Sequence, residues 1–338
     1  MAKKPAPKPI SLNEEQQAVV NLGVGKFACL AGPGSGKSAC ISARYARLIR
    51  EGVSPDDILA LSFTNTASKN LTDRVEAQVG KLSSKRKSGA TTFHGLGLAF
   101  AIEERDEFPF ELAEFPLSPE PVSSRFCSVA ARRFEVDRRS LQSYCALRKR
   151  ERVGYLKAVS RAENSLDAGE LKLALAYKAY EKALRDAGVL DFDGLIFHMV
   201  EILAKKPEVR QRWVRDWIMV DEAQDCAKIE WELVKLIAGK SLLAVGDTSQ
   251  GVYQFRGSAP ELFAEMDKLF PGTQTLFLSA NYRSSKSIVD FIRPYAASQE
   301  LAQKFHTENE PGPPPVVKGF VNSADECAWI VSQLKEQQ

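Results

Sequence analysis

The sequence predicts an α/β fold, a parallel sheet covered by helices on both faces and interrupted by a helical insertion. Three observations predict it. Short apolar runs of strand length recur at residues 27–30, 58–63, 90–93, 218–220, 242–245 and 275–278. Most lead into a Gly, Ser, Thr or Asp turn and then a helical pattern, the alternation a parallel sheet requires. The stretch 103–190 has few such runs and much Ala, Leu, Arg, Lys and Glu, so it reads as helix.

In chain order, residues 1–10 carry Lys3, Lys4 and Lys8 among three prolines and no apolar stretch. They read as a disordered basic tail and not as a signal peptide. Residues 11–102 form the first part of a lobe, 103–190 the insertion, and 191–277 the second part of the same lobe. Residues 278–338 begin a further lobe. There a proline-rich turn at 311–315 precedes an expected strand at 316–321 and an expected helix at 323–334. No internal repeat is present.

A chain of 338 residues suggests two or three packing units. With 44% apolar and 26% charged residues it has an ordinary globular composition. Its 46 basic and 43 acidic residues nearly cancel, so total charge carries no argument for nucleic acid, and local clusters must. Between Arg125 and Arg161 eleven Arg or Lys face three acids. The six cysteines form no C-x-x-C pair and the three histidines are scattered, which argues against a zinc or disulfide framework and favours a reducing cytoplasm. No apolar run reaches membrane-spanning length, so no membrane partner is expected.

The chemistry concentrates at two strand ends, where open α/β sheets bind ligands. Ala31-Gly32-Pro33-Gly34-Ser35-Gly36-Lys37-Ser38 follows an apolar run and precedes a helical pattern. Glycines let main-chain N–H groups turn inward around phosphate, and a helix beginning near Lys37 points its positive end at the same charge. Lys37 then reaches the β- and γ-phosphates, and the Ser38 hydroxyl ligates Mg²⁺. Asp221 and Glu222 follow the run ending at Val220. Asp221 is suited to hold Mg²⁺ through water, and Glu222 to orient or deprotonate an attacking water. A ligand-free glycine turn and an acidic helix start are the plain alternatives; the pairing of the two motifs argues against both. ATP and Mg²⁺ are the expected cofactors.

With these motifs in place, the chain resembles the UvrD/Rep/PcrA type of superfamily 1 DNA helicase over about residues 11–290. Leu12-Asn13-Glu14-Glu15-Gln16 is similar to the Q motif, Leu61-Ser62-Phe63-Thr64-Asn65-Thr66-Ala67 to motif Ia, and Thr92-Phe93-His94-Gly95 to motif Ib. Asp191-Phe192-Asp193 matches a short D-F-D element, and Val220-Asp221-Glu222-Ala223-Gln224-Asp225 motif II. Val245-Gly246-Asp247-Thr248-Ser249-Gln250 with Tyr253-Gln254-Phe255-Arg256-Gly257 resembles motif III, and Asn281-Tyr282-Arg283-Ser284 motif IV. The resemblance implies a RecA-like lobe, an inserted helical subdomain and the start of a second RecA-like lobe. It implies that Gln16 reads adenine, Tyr282 stacks on it, and Gln250 and Arg283 meet the γ-phosphate. It also implies 3′-to-5′ translocation on single-stranded DNA. The chain departs from the pattern at Ala39, where the family has Arg, and at Phe255, where it has Trp. Motifs V and VI have no counterpart up to Gln338, so the chain is expected to be the amino-terminal part of such a helicase, a separate chain being one source of the missing half.

Phe63, Tyr253 and Phe255 sit in loops beyond strand ends, where rings stack on bases without sequence preference. Thr64, Asn65 and Arg256 lie beside them. His94 is a further DNA candidate, with a structural role as its alternative. The basic insertion could grip duplex phosphates, or be a solvated face. The expected partners are single-stranded DNA and DNA junctions. The leading expectation is an ATP-driven single-strand DNA motor; the alternative is a nucleotide- and DNA-binding module with little or no turnover. A P-loop small-molecule kinase leaves the aromatic loop and residues 281–284 unexplained.

Overall fold

The computed structural model describes residues 11–82, 89–165, 167–252, 257–296 and 298–336. The expected basic tail lies outside them, as do Tyr253, Phe255 and Arg256. Six strands form one sheet: β1 (Gly25–Ala31), β2 (Ile58–Ser62), β3 (Ala90–Thr92), β4 (Arg215–Val220), β5 (Ala238–Gly246) and β6 (Gln274–Leu278). Their order is β3-β2-β4-β5-β1-β6, with every neighbouring pair parallel. The α/β fold predicted from the sequence is present, and each expected strand up to residue 278 is there.

The helices up to the end of the insertion's host are α1 (Glu14–Val20), α2 (Lys37–Arg50), α3 (Asn65–Val79), α4 (Phe93–Glu103), α5 (Glu120–Arg133), α6 (Arg138–Arg150), α7 (Tyr155–Ser165), α8 (Ala168–Asp186), α9 (Phe192–Lys205), α10 (Pro207–Trp213) and α11 (Lys228–Ile237). The strands alternate between two cores, as a pleated sheet buried on both faces must. Phe27, Cys29, Ala60, Met219 and Val245 pack with Ile41 and Tyr45 of α2 and Leu71 and Val75 of α3. Ala28, Leu61, Val220 and Ala244 pack with Phe100 of α4, Met199 of α9 and Leu233 of α11. Each fully buried Leu, Val or Phe here contributes about 1.5–3 kcal/mol.

The insertion is helical, as expected. Helices α5 to α8 enclose their own core of Cys127, Leu141, Tyr144, Tyr177 and Leu184. Buried charge joins it to the sheet unit. Lys149, 1% exposed, places its Nζ 2.7 Å from Glu181 Oε1 and 2.7 Å from Asp191 Oδ1. Tyr180 donates to Asp191 Oδ2 at 2.9 Å. Burial works against the Lys149 charge, but Asp191 and Glu181 outweigh it and hold the ammonium well above its ordinary range. Arg150 pairs with Asp193 at 2.6 Å, Arg152 with Glu201 and Glu232 at 2.8 and 2.9 Å, and Arg148 with Glu151 at 2.7 Å. Part of the basic run is therefore engaged inside the protein and does not form an open phosphate-binding face.

Residues 316–321 correct the sequence reading. They form no strand, and Val316, Val317 and Val321 are 77%, 79% and 96% exposed. A strand needs a neighbour for its N–H and C=O groups, and no described strand lies beside this segment. The following helix is present at Ser323–Glu336, with Ile330, Val331 and Leu334 exposed. Among the described residues no helix is long and apolar enough to cross a membrane.

Candidate functional site

Strand register collects the predicted residues at one edge of the sheet. Leu30 pairs with Gly246, Val220 with Ala244, and Ala31 with Leu278. The segments that follow, 32–38, 221–225, 247–250 and 279–283, therefore leave neighbouring strand ends. On the far side Ser62 pairs with Thr92, so Phe63 and His94 leave the same edge beside one another.

The glycine-rich loop is built for close approach. Gly34 and Gly36 have φ of +71° and +86°, where a side chain is strained. A Cβ on Gly34 would lie 2.9 Å from Asn281 Nδ2 and 2.9 Å from Arg283 Cβ; one on Gly32 would strike the Phe305 ring. Ser35 closes the loop by donating from Oγ to Gly32 O at 2.7 Å. Asn281 Nδ2 donates to Pro33 O at 2.7 Å, and Tyr282 N to Gly34 O at 3.0 Å. The 281–283 segment thus clamps the loop from outside. Phe305 and the Asn281 clamp were not foreseen; each joins residues far apart in sequence, and no local pattern signals them.

Helix α2 begins at Lys37, so the first-turn N–H groups face the loop. Lys37 is buried, with Nζ 3.7 Å from Glu222 Oε2. Ser38 Oγ donates to Asp221 Oδ2 at 2.9 Å. Burial, and then the adjacent Glu222, push Asp221 up to about 6. Glu222 holds φ +51°, an uncommon conformation for a non-glycine residue, and accepts from Gln224 Nε2 at 3.0 Å. Gln224 Oε1 in turn accepts from Asp247 N at 2.9 Å. Fully buried Asp247 accepts from Gln250 Nε2 at 2.7 Å. A chain of hydrogen bonds therefore runs from Glu222 to Gln250.

The amide of Gln16 is almost wholly buried; it accepts from Asn13 N at 3.0 Å and donates to Ser35 O at 2.9 Å. It ties α1 to the loop. Asn13 Nδ2 donates to the Tyr282 hydroxyl at 2.8 Å, and Tyr282 is 55% exposed. Arg283 is exposed, without a carboxylate partner among the described residues.

The second cluster surrounds a cleft of about 520 Å³ lined by Phe63, His94, Arg150, Phe192, Asp225 and Ser258, among others. The Phe192 ring is 57% exposed and meets His94 edge-on at 5.5 Å. Burial holds His94 below its ordinary value. Thr64 accepts from Ala67 N at 3.1 Å and so caps α3, while Asn65 is exposed beside it. Phe192 was read only as part of D-F-D; its exposure beyond the Asp191 cap is a tertiary fact. A larger cavity of about 860 Å³, between α7 and α9, contains none of the predicted site residues.

The first cluster fits Mg-ATP. The loop turns through two left-handed glycines into the start of α2, Lys37 brings a buried amine to it, and Ser38 with Asp221 brings two oxygens that could hold a metal. No group of three or more His, Cys, Asp or Glu that could hold a metal exists among the described residues.

A family model for the UvrD/REP helicase N-terminal domain matches residues 12–271. The chain is similar to the ATP-dependent DNA helicase PcrA of Staphylococcus epidermidis, 29% identical over 346 aligned positions, covering 97% of this chain and 46% of the relative. It is 28% identical to PcrA of Staphylococcus aureus over 345 positions, covering 97% and 46%. The chain thus spans about half the length of the curated relatives it matches.

Proposed function

Since this chain belongs to the UvrD/REP helicase N-terminal domain family, we propose that it supplies the ATP-binding and single-strand-binding core of a DNA translocase moving 3′ to 5′. The observation that carries the reading is the strand register that brings the nucleotide loop, the 221–225 turn and the aromatic cleft to one sheet edge.

Bound Mg²⁺ would neutralise developing phosphate charge and orient the triphosphate. The residues of the chain do the rest. Lys37 and the loop N–H groups would hold the β- and γ-phosphates, and Ser38 and Asp221 would hold the metal. Glu222 orients a water and accepts its proton. Tyr282 and Gln16 frame the base, and Arg283 faces the terminal phosphate. Phe63 and Phe192 offer faces on which bases stack, about 1–3 kcal/mol per base, with Thr64, Asn65 and His94 beside them. Residues 278–338 begin the second lobe, whose closing on nucleotide would move the strand past these rings. DNA junctions and a partner chain carrying the other half complete the proposed partners.

The test uses a protein carrying both lobes. Single-stranded DNA should stimulate its ATP hydrolysis, and duplexes with a 3′ tail should be unwound in preference to those with a 5′ tail. Hydrolysis indifferent to DNA rejects the motor reading.

A second reading holds for this chain alone, a nucleotide- and DNA-binding module with low turnover. Arg283 lies against Gly34 of the loop, and arginine stabilisation in related reactions is worth about 10³–10⁵ in rate, so a single arginine there would leave turnover low. Binding of an ATP analogue with phosphate release at background would support it.

A further inference from the structure

Asp225 is the last residue of the 3₁₀ turn Ala223–Asp225, which begins immediately after Glu222. Its N donates to Glu222 O at 2.9 Å, so the two residues are the ends of one hydrogen-bonded turn. The turn faces two ways. Glu222 lies 3.7 Å from Lys37 at the nucleotide loop, whereas Asp225 lines the aromatic cleft. Asp225 is 8% exposed, yet its buried Oδ1 has no hydrogen-bond partner. Ser258, in the same cleft, also has a buried, partnerless Oγ. The two are joined through the main chain. Ala227 bridges Ser258, and Ala259 N donates to Cys226 O at 3.0 Å.

A buried acceptor without a donor is an unsatisfied group that an incoming donor would complete. Phosphate oxygens cannot do so, since they carry no N–H and are anionic. Base edges can, because every base carries at least one N–H donor. The occupant that fits both the rings and this oxygen is a stacked nucleobase.

We propose that Asp225 is the joint by which a base in the aromatic cleft is felt at the catalytic turn: its side chain turns its buried, unpartnered oxygen to take an N–H from the base, and its main chain moves the turn that begins at Glu222. This rests on the single-strand-binding reading above. The turn is short and closed by its own hydrogen bonds, so a shift at Asp225 reaches Glu222 and Gln224 directly. Gln224 then passes it to Asp247 and Gln250. Glu222 and Lys37 also act electrostatically on the Asp225 carboxyl, so the two sites share a field as well as a main chain.

The experiment measures linkage and does not need turnover. A fluorescent non-hydrolysable ATP analogue with Mg²⁺ is titrated into the full chain with and without saturating thymidine oligonucleotide, and the ratio of the two Kd values is the coupling. The wild type is expected to give at least about fivefold. Asp225→Ala should bring the ratio below about twofold. Asp225→Asn, which keeps an acceptor oxygen, should retain most of it. An abasic oligonucleotide on the wild-type chain, with phosphates but no base N–H, should give a ratio near one. Wild-type coupling in Asp225→Ala, or full coupling by the abasic strand, overturns the proposal. If the wild type binds nucleotide or oligonucleotide not at all, the underlying reading fails, and the proposal with it.

Discussion

The Ser38 hydroxyl donates to Asp221 Oδ2 across 2.9 Å, joining the first turn of α2 to the end of β4. Two oxygens proposed as ligands for one hard cation are thereby brought together from distant parts of the chain. Removal of Mg²⁺ by chelation should weaken binding of an ATP analogue. Ser38→Ala or Asp221→Asn should weaken the Mg²⁺-dependent part by at least the roughly 10–100-fold lost when a metal ligand's supporting partner is removed. Fluorescence titration against Mg²⁺ concentration checks it; unchanged Mg²⁺ dependence in both variants contradicts it.

Glu222 sits at φ +51°, accepts a hydrogen bond from the Gln224 amide and faces Lys37. A non-glycine residue in that region carries about 1–3 kcal/mol of strain, a reason to look for function there. In a two-lobed protein Glu222→Gln should keep ATP binding and lose about 10²–10⁴ in turnover, the usual contribution of a general base. Equal losses in binding and turnover would point to a structural role instead.

Gly34 sits at φ +71° with Asn281 directly over it. Gly34→Ala should lower the thermal transition and nucleotide affinity together, because the new Cβ would displace the Asn281 clamp. Asn281→Ala leaves Pro33 O without its donor and should cost about 1–3 kcal/mol, read by melting.

The Lys149 ammonium bridges α8 and the start of α9 from a site 1% exposed. Lys149→Met leaves Asp191 and Glu181 as uncompensated buried carboxylates, and should destabilise by about 3–5 kcal/mol. Denaturant melts measure it. A loss under about 1 kcal/mol would mean that the cluster is hydrated and behaves as a surface ion pair.

Glu230 is buried beneath the aromatic cleft, and burial pushes its carboxyl up to about 7. Its Oε2 accepts from Ala227 N at 2.7 Å; Arg150 nearby favours the charge, and Asp193 and Asp225 oppose it. Folded Glu230 therefore keeps its proton in a window where the unfolded chain has lost it. Its contribution falls as pH rises from about 4.5 to 7 and is flat above. Glu230→Gln cannot titrate, so its stability relative to wild type should rise across that window and then level off. Melting curves at several pH values decide it, and a pH-independent difference would contradict the assignment.

What was legible in the sequence follows from how local each feature is. The loop at 31–38 and the acids at 221–222 announce themselves, because phosphate and metal chemistry fixes residue types over a few consecutive positions. The six strands were legible because two-sided burial leaves continuous apolar runs. Residues 316–321 were misread for the converse reason: an apolar run is a strand only if another strand lies beside it. The Lys149–Glu181–Asp191 joint and the Phe305 ring over Gly32 were invisible, since each is made by residues brought together only on folding. The basic run at 125–161 was legible as charge, but not as the inward-facing pairs made by Arg150 and Arg152.

A triphosphate is proposed to bind where Lys37 meets Asp221 and Glu222. Titration of a fluorescent Mg-ATP analogue into the wild-type chain and into Lys37→Ala tests it most directly. Saturable binding in the wild type, weakened about 10–100-fold or more in the variant, is predicted from the strength of charged hydrogen bonds. No saturable binding, or equal affinity in the two proteins, would contradict it.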